Sequence, residues 1–210
     1  NKFWSKSDKG SISIVHYMFR DFLEDNGFYK YMPVGNKSFI FVRVTNNLID
    51  HTSEDEIKDF VLNYLQNVDD LSVYNFFADK TRFFKEDFLS LLDTVDVHFV
   101  EDTKDFSFIY FKNCAIKVCK DEIIKVDYVD LNGFVWHDQV IDRDFDFCDV
   151  TDCDFKKFIS NISGEEDQRI KSIESTIGFL MSGYKDPGFC PSVILNDEVI
   201  TDNPEGGTGK

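Results

Sequence analysis

The run "FSFIYFKNCAIKVCKDEIIKVDYV", Phe106 to Val129, decides the fold class. Its apolar residues recur at the period of half-buried strands, in short stretches bounded by turn signals at Asn113 and at Lys120 and Asp121. "GFVWHDQVI", after the turn signal at Asn132 and Gly133, continues in the same manner. The expectation is an antiparallel meander between about Asp105 and Val140, with no internal repeat on either side of it.

Upstream the period is mostly helical. In "SISIVHYMFRDFLEDNG", Val15, Met18, Phe19, Phe22 and Leu23 are spaced for one helix face, and Gly27 offers a left-handed stop. "FYKYMPVGNKSFIFVRV" reads as two short strands around Pro33, Gly35 and Asn36. "HTSEDEIKDFVLNYLQN" carries a capping box, Ser53 with Glu56, ahead of a stripe of Ile57, Phe60, Val61, Tyr64 and Leu65. Two shorter helices are expected near Ser72 to Phe77 and Glu86 to Leu92. Downstream, "FKKFISNI" closes at Gly164, and "EEDQRIKSIESTIGFLMSG" lines Ile170, Ile173, Ile177, Leu180 and Met181 along one side. "SVILN" is a candidate last strand. The class is therefore α+β: helices flank an antiparallel β-meander, and a helical segment follows.

The chain has 210 residues, 42% hydrophobic and 16% aromatic, enough to fill a core, and its 23 phenylalanines are spread from Phe3 to Phe189. No apolar run approaches the roughly 20 residues of a membrane-spanning helix, and "NKFWSKSDKG" has no hydrophobic signal region, so a cytoplasmic protein without a membrane partner is expected. Asn1 in place of an initiator Met, and the glycine-rich run at Lys210, suggest a segment of a longer protein. A formal charge of −16 opposes non-specific contact with phosphate backbones. The local basic spots, Lys112, Lys117, Lys120, Lys125, Lys156 and Lys157, are mostly interleaved with acids.

Other residues that could carry chemistry have plainer readings. Cys114, Cys119, Cys148, Cys153 and Cys190 are odd in number and read as reduced thiols; their C-x4-C spacing is looser than a zinc knuckle, and on a strand it sends two side chains to opposite faces. "DRDFDFCDVTDCDF" alternates aspartates like a calcium loop, but Phe147 stands where the turn glycine belongs and Cys153 where the bidentate Glu belongs. It reads as a solvated loop, with Asp152 or Asp154 near a helix start. His16, His51, His98 and His137 have no Cys or Ser at a spacing that suggests a triad, and His137 beside Trp136 reads as structural.

The last residues, "NPEGGTGK", run from Asn203 to Lys210. Followed by Ser or Thr, they would be most of a phosphate-binding loop, with Pro204 at the position of the pattern's first glycine. A glycine-rich linker is the alternative reading. Together with "GFVWHDQVIDRDF", "FISNISGEEDQRIKSIESTIGFLMSGYKDP" and "PSVILNDEVITDNPEGGTGK", the run resembles the region entering the ATPase core of primase-associated, superfamily 3-like helicases of phages and mobile elements. The resemblance covers about Gly133 to Lys210. It implies that Gly206, Gly207, Thr208, Gly209 and Lys210 belong to a nucleotide-binding Walker A loop, cut before its hydroxyl residue.

In such proteins the lysine neutralises charge on the β- and γ-phosphates of ATP and the next Ser or Thr holds Mg²⁺. ATP and Mg²⁺ would serve the full-length parent, an ATP-hydrolysing DNA helicase; the fragment itself would hold no cofactor and be inactive, with no catalytic residue of its own. The implied organisation is an N-terminal α+β region over 1–100, the meander over 101–150, a helical segment over 151–190, and the first strand and truncated P-loop of the ATPase domain over 191–210. Its partners would be its own downstream ATPase domain, further copies in a homo-oligomer, and DNA, bound by the parent and weakly or not at all by the fragment. A protein-interaction module with a glycine-rich tail, and a P-loop phosphotransferase of another class, are the alternatives.

Overall fold

A computed structural model describes residues 2–148 and 153–194. In chain order it contains β1 (Trp4–Lys6), β2 (Ile12–Ile14), α1 (His16–Asp25), β3 (Phe28–Tyr31), β4 (Ile40–Thr45), β5 (Leu48–His51), α2 (Glu54–Gln66), α3 (Leu71–Asp79) and α4 (Glu86–Leu89). There follow β6 (Phe106–Phe111), β7 (Cys114–Cys119), β8 (Ile123–Val126), β9 (Val135–Trp136), α5 (Asp154–Ile162) and α6 (Asp167–Met181). The chain is mixed α+β and divides into two units, one of residues up to Val100 with Val126–Ile141, the other of Glu101–Lys125 with the chain from Asp142 onward.

The first unit is organised by a sheet of order β3-β4-β5-β9 whose two faces serve different cores. On one face Phe28 and Phe41 join a cluster in which Phe3, Phe19, Phe22, Ile57, Val61, Leu65, Phe77 and Phe83 are buried. Phe3 alone lies within ring contact of Trp4, Phe19, Phe22, Tyr64 and Phe77, so aromatic packing ties β1 to α1, α2 and α3. On the other face Tyr31, Val42 and Ile49 pack with Val95, Val97, Phe99, Phe134 and Trp136. The alternation along β4, with Ile40, Val42 and Val44 on one side and Phe41 on the other, divides these cores as the period of a strand requires.

Local sequence explains most of these elements. The Ser53 and Glu56 capping box is formed at the start of α2, with Ile57, Val61 and Leu65 buried. In α1, Phe19, Phe22 and Leu23 are buried. Met18, assigned to the same face by its spacing, is instead exposed, because it falls about a quarter-turn from the centre of the buried Phe19, Phe22 and Leu23 stripe; the preceding Ile12–Ile14 is strand β2, paired antiparallel with β1. Strand β5 arises from a two-residue turn at Asn46 and Asn47, both at positive φ (50° and 64°), the geometry that hairpin turns require and that asparagine tolerates.

The meander is present in the second unit as a sheet of order β6-β7-β8, with β6 and β7 antiparallel from Phe106↔Cys119 to Phe111↔Cys114. Its expected continuation departs from the sequence reading. Val135 and Trp136 pair in parallel with Leu48 and Ile49 of the first unit's sheet, so "GFVWHDQVI" belongs to another core. Gly133 permits this entry: its φ is 139°, and a Cβ there would stand 2.9 Å from the His98 carbonyl oxygen.

Helices α5 and α6 complete the described part of the second unit. Ile159 of α5 is buried, whereas no residue of α6 is. Ile170, Ile173 and Ile177 are half-buried, while Leu180 and Met181, expected on the same face, are exposed. Of "SVILN", Ser192, Val193 and Ile194 are in no regular structure, and the rest lies outside the described residues.

Candidate functional site

The residues expected to bind nucleotide, Gly206, Gly207, Thr208, Gly209 and Lys210, lie outside the described residues, as does Asp152. Among the described residues no group of three or more His, Cys, Asp or Glu stands together in a way that could hold a metal ion. The five cysteines form no disulfide among the described residues: Cys114 is buried at the start of β7, Cys119 is half-buried at its end, and Cys148 and Cys190 are exposed. No described helix is long and apolar enough to cross a membrane.

The histidines have defined partners. His137 Nδ1 lies 2.7 Å from Asp50 Oδ1, and the His51 ring stacks on Trp136 at 4.6 Å with planes 10° apart. Asp50 and His51 end β5, and His137 follows β9, so these contacts clamp the short parallel pairing of the two strands. An Asp–His pair can move a proton, but among the described residues no hydrogen bond joins His137 to a Ser or Cys nucleophile. The pair's evident work is to hold β9 in place.

In the second unit a cavity of about 820 Å³ lies between the meander and the end of α6, lined by Phe106, Ile109, Val118, Cys119, Met181 and Tyr184. Asp102 and the hydroxyls of Ser107 and Ser182 beside it are engaged in structural hydrogen bonds. The Asp102 carboxylate accepts the backbone N–H of Phe108 at 2.8 Å and of Gly183 at 2.7 Å, one on each oxygen. Ser107 Oγ and Ser182 Oγ are 2.9 Å apart. These contacts fasten the end of α6 to β6, and a carboxylate so occupied is a brace, not a free general base.

Three of the basic residues picked out from the sequence have local partners. Lys112 pairs with Asp142 at 3.3 Å, Lys157 with Asp154 at 3.7 Å, and Lys117 lies 4.1 Å from the centroid of the Phe106 ring. The fold instead gathers Lys80, Arg82 and Lys85 beside a groove of the first unit floored by Phe76, Phe83 and Phe88. The signal for it was present in "DKTRFFKED", three cations within six positions around a pair of phenylalanines, but the run changes from α3 to a tight 3-10 turn at Thr81–Phe84, and neither helical nor strand periodicity exposes it. No protein-family model, curated protein or solved structure matches the chain.

Proposed function

We propose that this chain is the region preceding and entering the motor of an ATP-dependent DNA helicase of the primase-associated type, acting in the cytoplasm in phage or mobile-element DNA replication. Its folded part is an assembly domain without catalytic residues, and Gly206 to Lys210 begin the ATP-binding loop. The supporting observation is the helical pair that leads toward that loop. Phe155 and Phe158 of α5 are 58% and 50% exposed, and Leu180 and Met181 of α6 are 61% and 59% exposed. A helix whose apolar stripe stays exposed along part of its length is normally covered by further protein. A following ATPase domain is the occupant this reading assigns, with homo-oligomer formation and DNA engagement belonging to the complete protein.

The lysine's role gives the test. A positioned cation at the phosphates stabilises the charge that develops on phosphoryl transfer, so Lys210→Ala in the full-length protein abolishes ATP-driven unwinding while leaving the fold intact. Unwinding at the unsubstituted rate would refute the loop assignment and leave the interaction-module reading in its place.

A further inference from the structure

We infer that the groove beside Lys80 and Arg82 is a docking site for an extended acidic peptide of a partner protein, bound by strand addition to β2 with an aromatic side chain seated on the phenylalanine floor. The inference concerns the first unit alone and does not depend on the helicase reading.

The first observation is the free edge of β2. Val15 N–H donates to the Phe3 carbonyl and Ser7 N–H to the Ser11 carbonyl, both at 2.9 Å, which fixes the hydrogen-bonded positions of the β1 and β2 pair. Antiparallel pairs alternate, so Ser5 and Ser13 are also a bonded pair, whereas Ile12 and Ile14 direct their N–H and C=O groups away from β1. The sheet has only these two strands, so no strand meets them on that side, and Ile12, Ser13 and Ile14 line the groove. The side chains of Ile12 and Ile14 meanwhile pack on the aromatic core, which holds the edge rigid. A rigid edge with unpaired backbone groups is the template that added strands use.

The second observation is the chemistry facing that edge. The groove encloses about 730 Å³, room for side chains of a short peptide. Lys85 donates to Glu54 at 2.9 Å, and this ion pair occupies it. Lys80 sits 4.1 Å from the Phe76 ring centroid and Arg82 5.1 Å from that of Phe83; neither has a carboxylate partner among the described residues. Cations packed on rings beside an apolar floor complement a carboxylate and an aromatic group presented together. Asp87 also lines the groove, which limits the number of anions it accepts.

These features favour peptide over nucleic acid. A nucleic acid adds one phosphate charge per nucleotide and needs a track of cations to displace its counterions. Here two available cations are too few for such a track, whereas the exposed backbone donors and acceptors of β2 match a peptide main chain.

The direct test is fluorescence anisotropy of this chain with a fluorescein-labelled short peptide of alternating aspartate and phenylalanine. Its counterparts are the same peptide with lysine for aspartate, the same peptide N-methylated on the edge-pairing amides, and labelled oligothymidylate. The expected result is saturable binding of the acidic peptide alone, weakened about tenfold or more both by N-methylation and by Lys80→Glu combined with Arg82→Glu. The variant's circular dichroism and thermal midpoint should match the unsubstituted chain, since both side chains are exposed. No binding, equal binding by the variant, or equal binding of the methylated peptide overturns the inference. Preferential binding of oligothymidylate overturns it in favour of a nucleic-acid groove.

Discussion

Ser53 and Glu56 cap α2 reciprocally: the Ser53 backbone N–H donates to Glu56 Oε2 at 2.7 Å, and the Glu56 N–H donates to Ser53 Oγ at 3.2 Å. Ser53→Ala removes one half of the box and should cost about 1 kcal/mol, read as a lower urea midpoint at unchanged m-value. The backbone hydrogen bond from Ser53 holds the Glu56 carboxyl below its ordinary value of 4.5. A carboxyl depressed in the folded state stabilises above its unfolded pKa, and that contribution is lost as pH falls through the folded one. Thermal midpoints measured from neutral pH down through this range should therefore fall more steeply for the unsubstituted chain than for Glu56→Gln.

Gly27 should not tolerate a side chain. Its φ is +87°, and a Cβ would stand 2.2 Å from the Val44 carbonyl oxygen, a backbone atom fixed by the β3 and β4 pairing. Positive φ and the clash act together, so Gly27→Ala should destabilise by about 2 kcal/mol or more. Gly10, also at positive φ but with open space around it, provides the comparison: Gly10→Ala should carry the backbone penalty alone, about 1 kcal/mol. Equal midpoint shifts for the two variants would contradict the predicted contact.

Lys6 Nζ reaches Asp70 Oδ2 at 2.7 Å, joining β1 to the residue that caps α3. Hydrogen bonds from Lys6, and then from the Ser72 side chain, hold the Asp70 carboxyl down at about 2. A carbon-detected NMR titration should show Asp70 ionised throughout the range in which ordinary aspartates protonate. In Lys6→Met its midpoint should move up toward 3.8, the ordinary aspartate value. Because the folded pKa is depressed, this contact's stabilisation is present at neutral pH and disappears only in strong acid.

DNA affinity gives a functional check on the first unit and the second together. The chain's −16 charge and its dispersed lysines predict weak or no binding to single-stranded or forked DNA at near-physiological salt. Submicromolar affinity, lost when Lys156 and Lys157 are changed to Glu, would instead place a DNA surface on α5. Measurements at two salt concentrations separate that case from weak screening-dependent attraction.

Much of the local structure was legible because its causes are local. Ser53 and Glu56 are three residues apart and need only a helix start between them, and the polar turn at Asn113 brings β6 against β7 with nothing distant to help. Phe19, Phe22 and Leu23 share a face of any helix that contains them. The chain by itself therefore determined the α+β class, the main helices and the first hairpin of the meander, and its charge set the electrostatic limits on partners.

Tertiary structure decided the rest, since burial depends on which surfaces meet. Met18 has the spacing of a core residue but is exposed, and Leu180 and Met181 likewise follow helical period without a described surface to cover them. Val135 and Trp136 read as one more strand of a local meander, yet they pair in parallel with Leu48 and Ile49, more than eighty positions earlier, because Tyr31, Val42 and Ile49 offered an apolar sheet face to cover. The groove at Lys80 and Arg82 required three separate segments, β2, the end of α3 and the turn into α4, to converge. No period within one segment encodes such a convergence; it follows from the packing of the phenylalanine core beneath them.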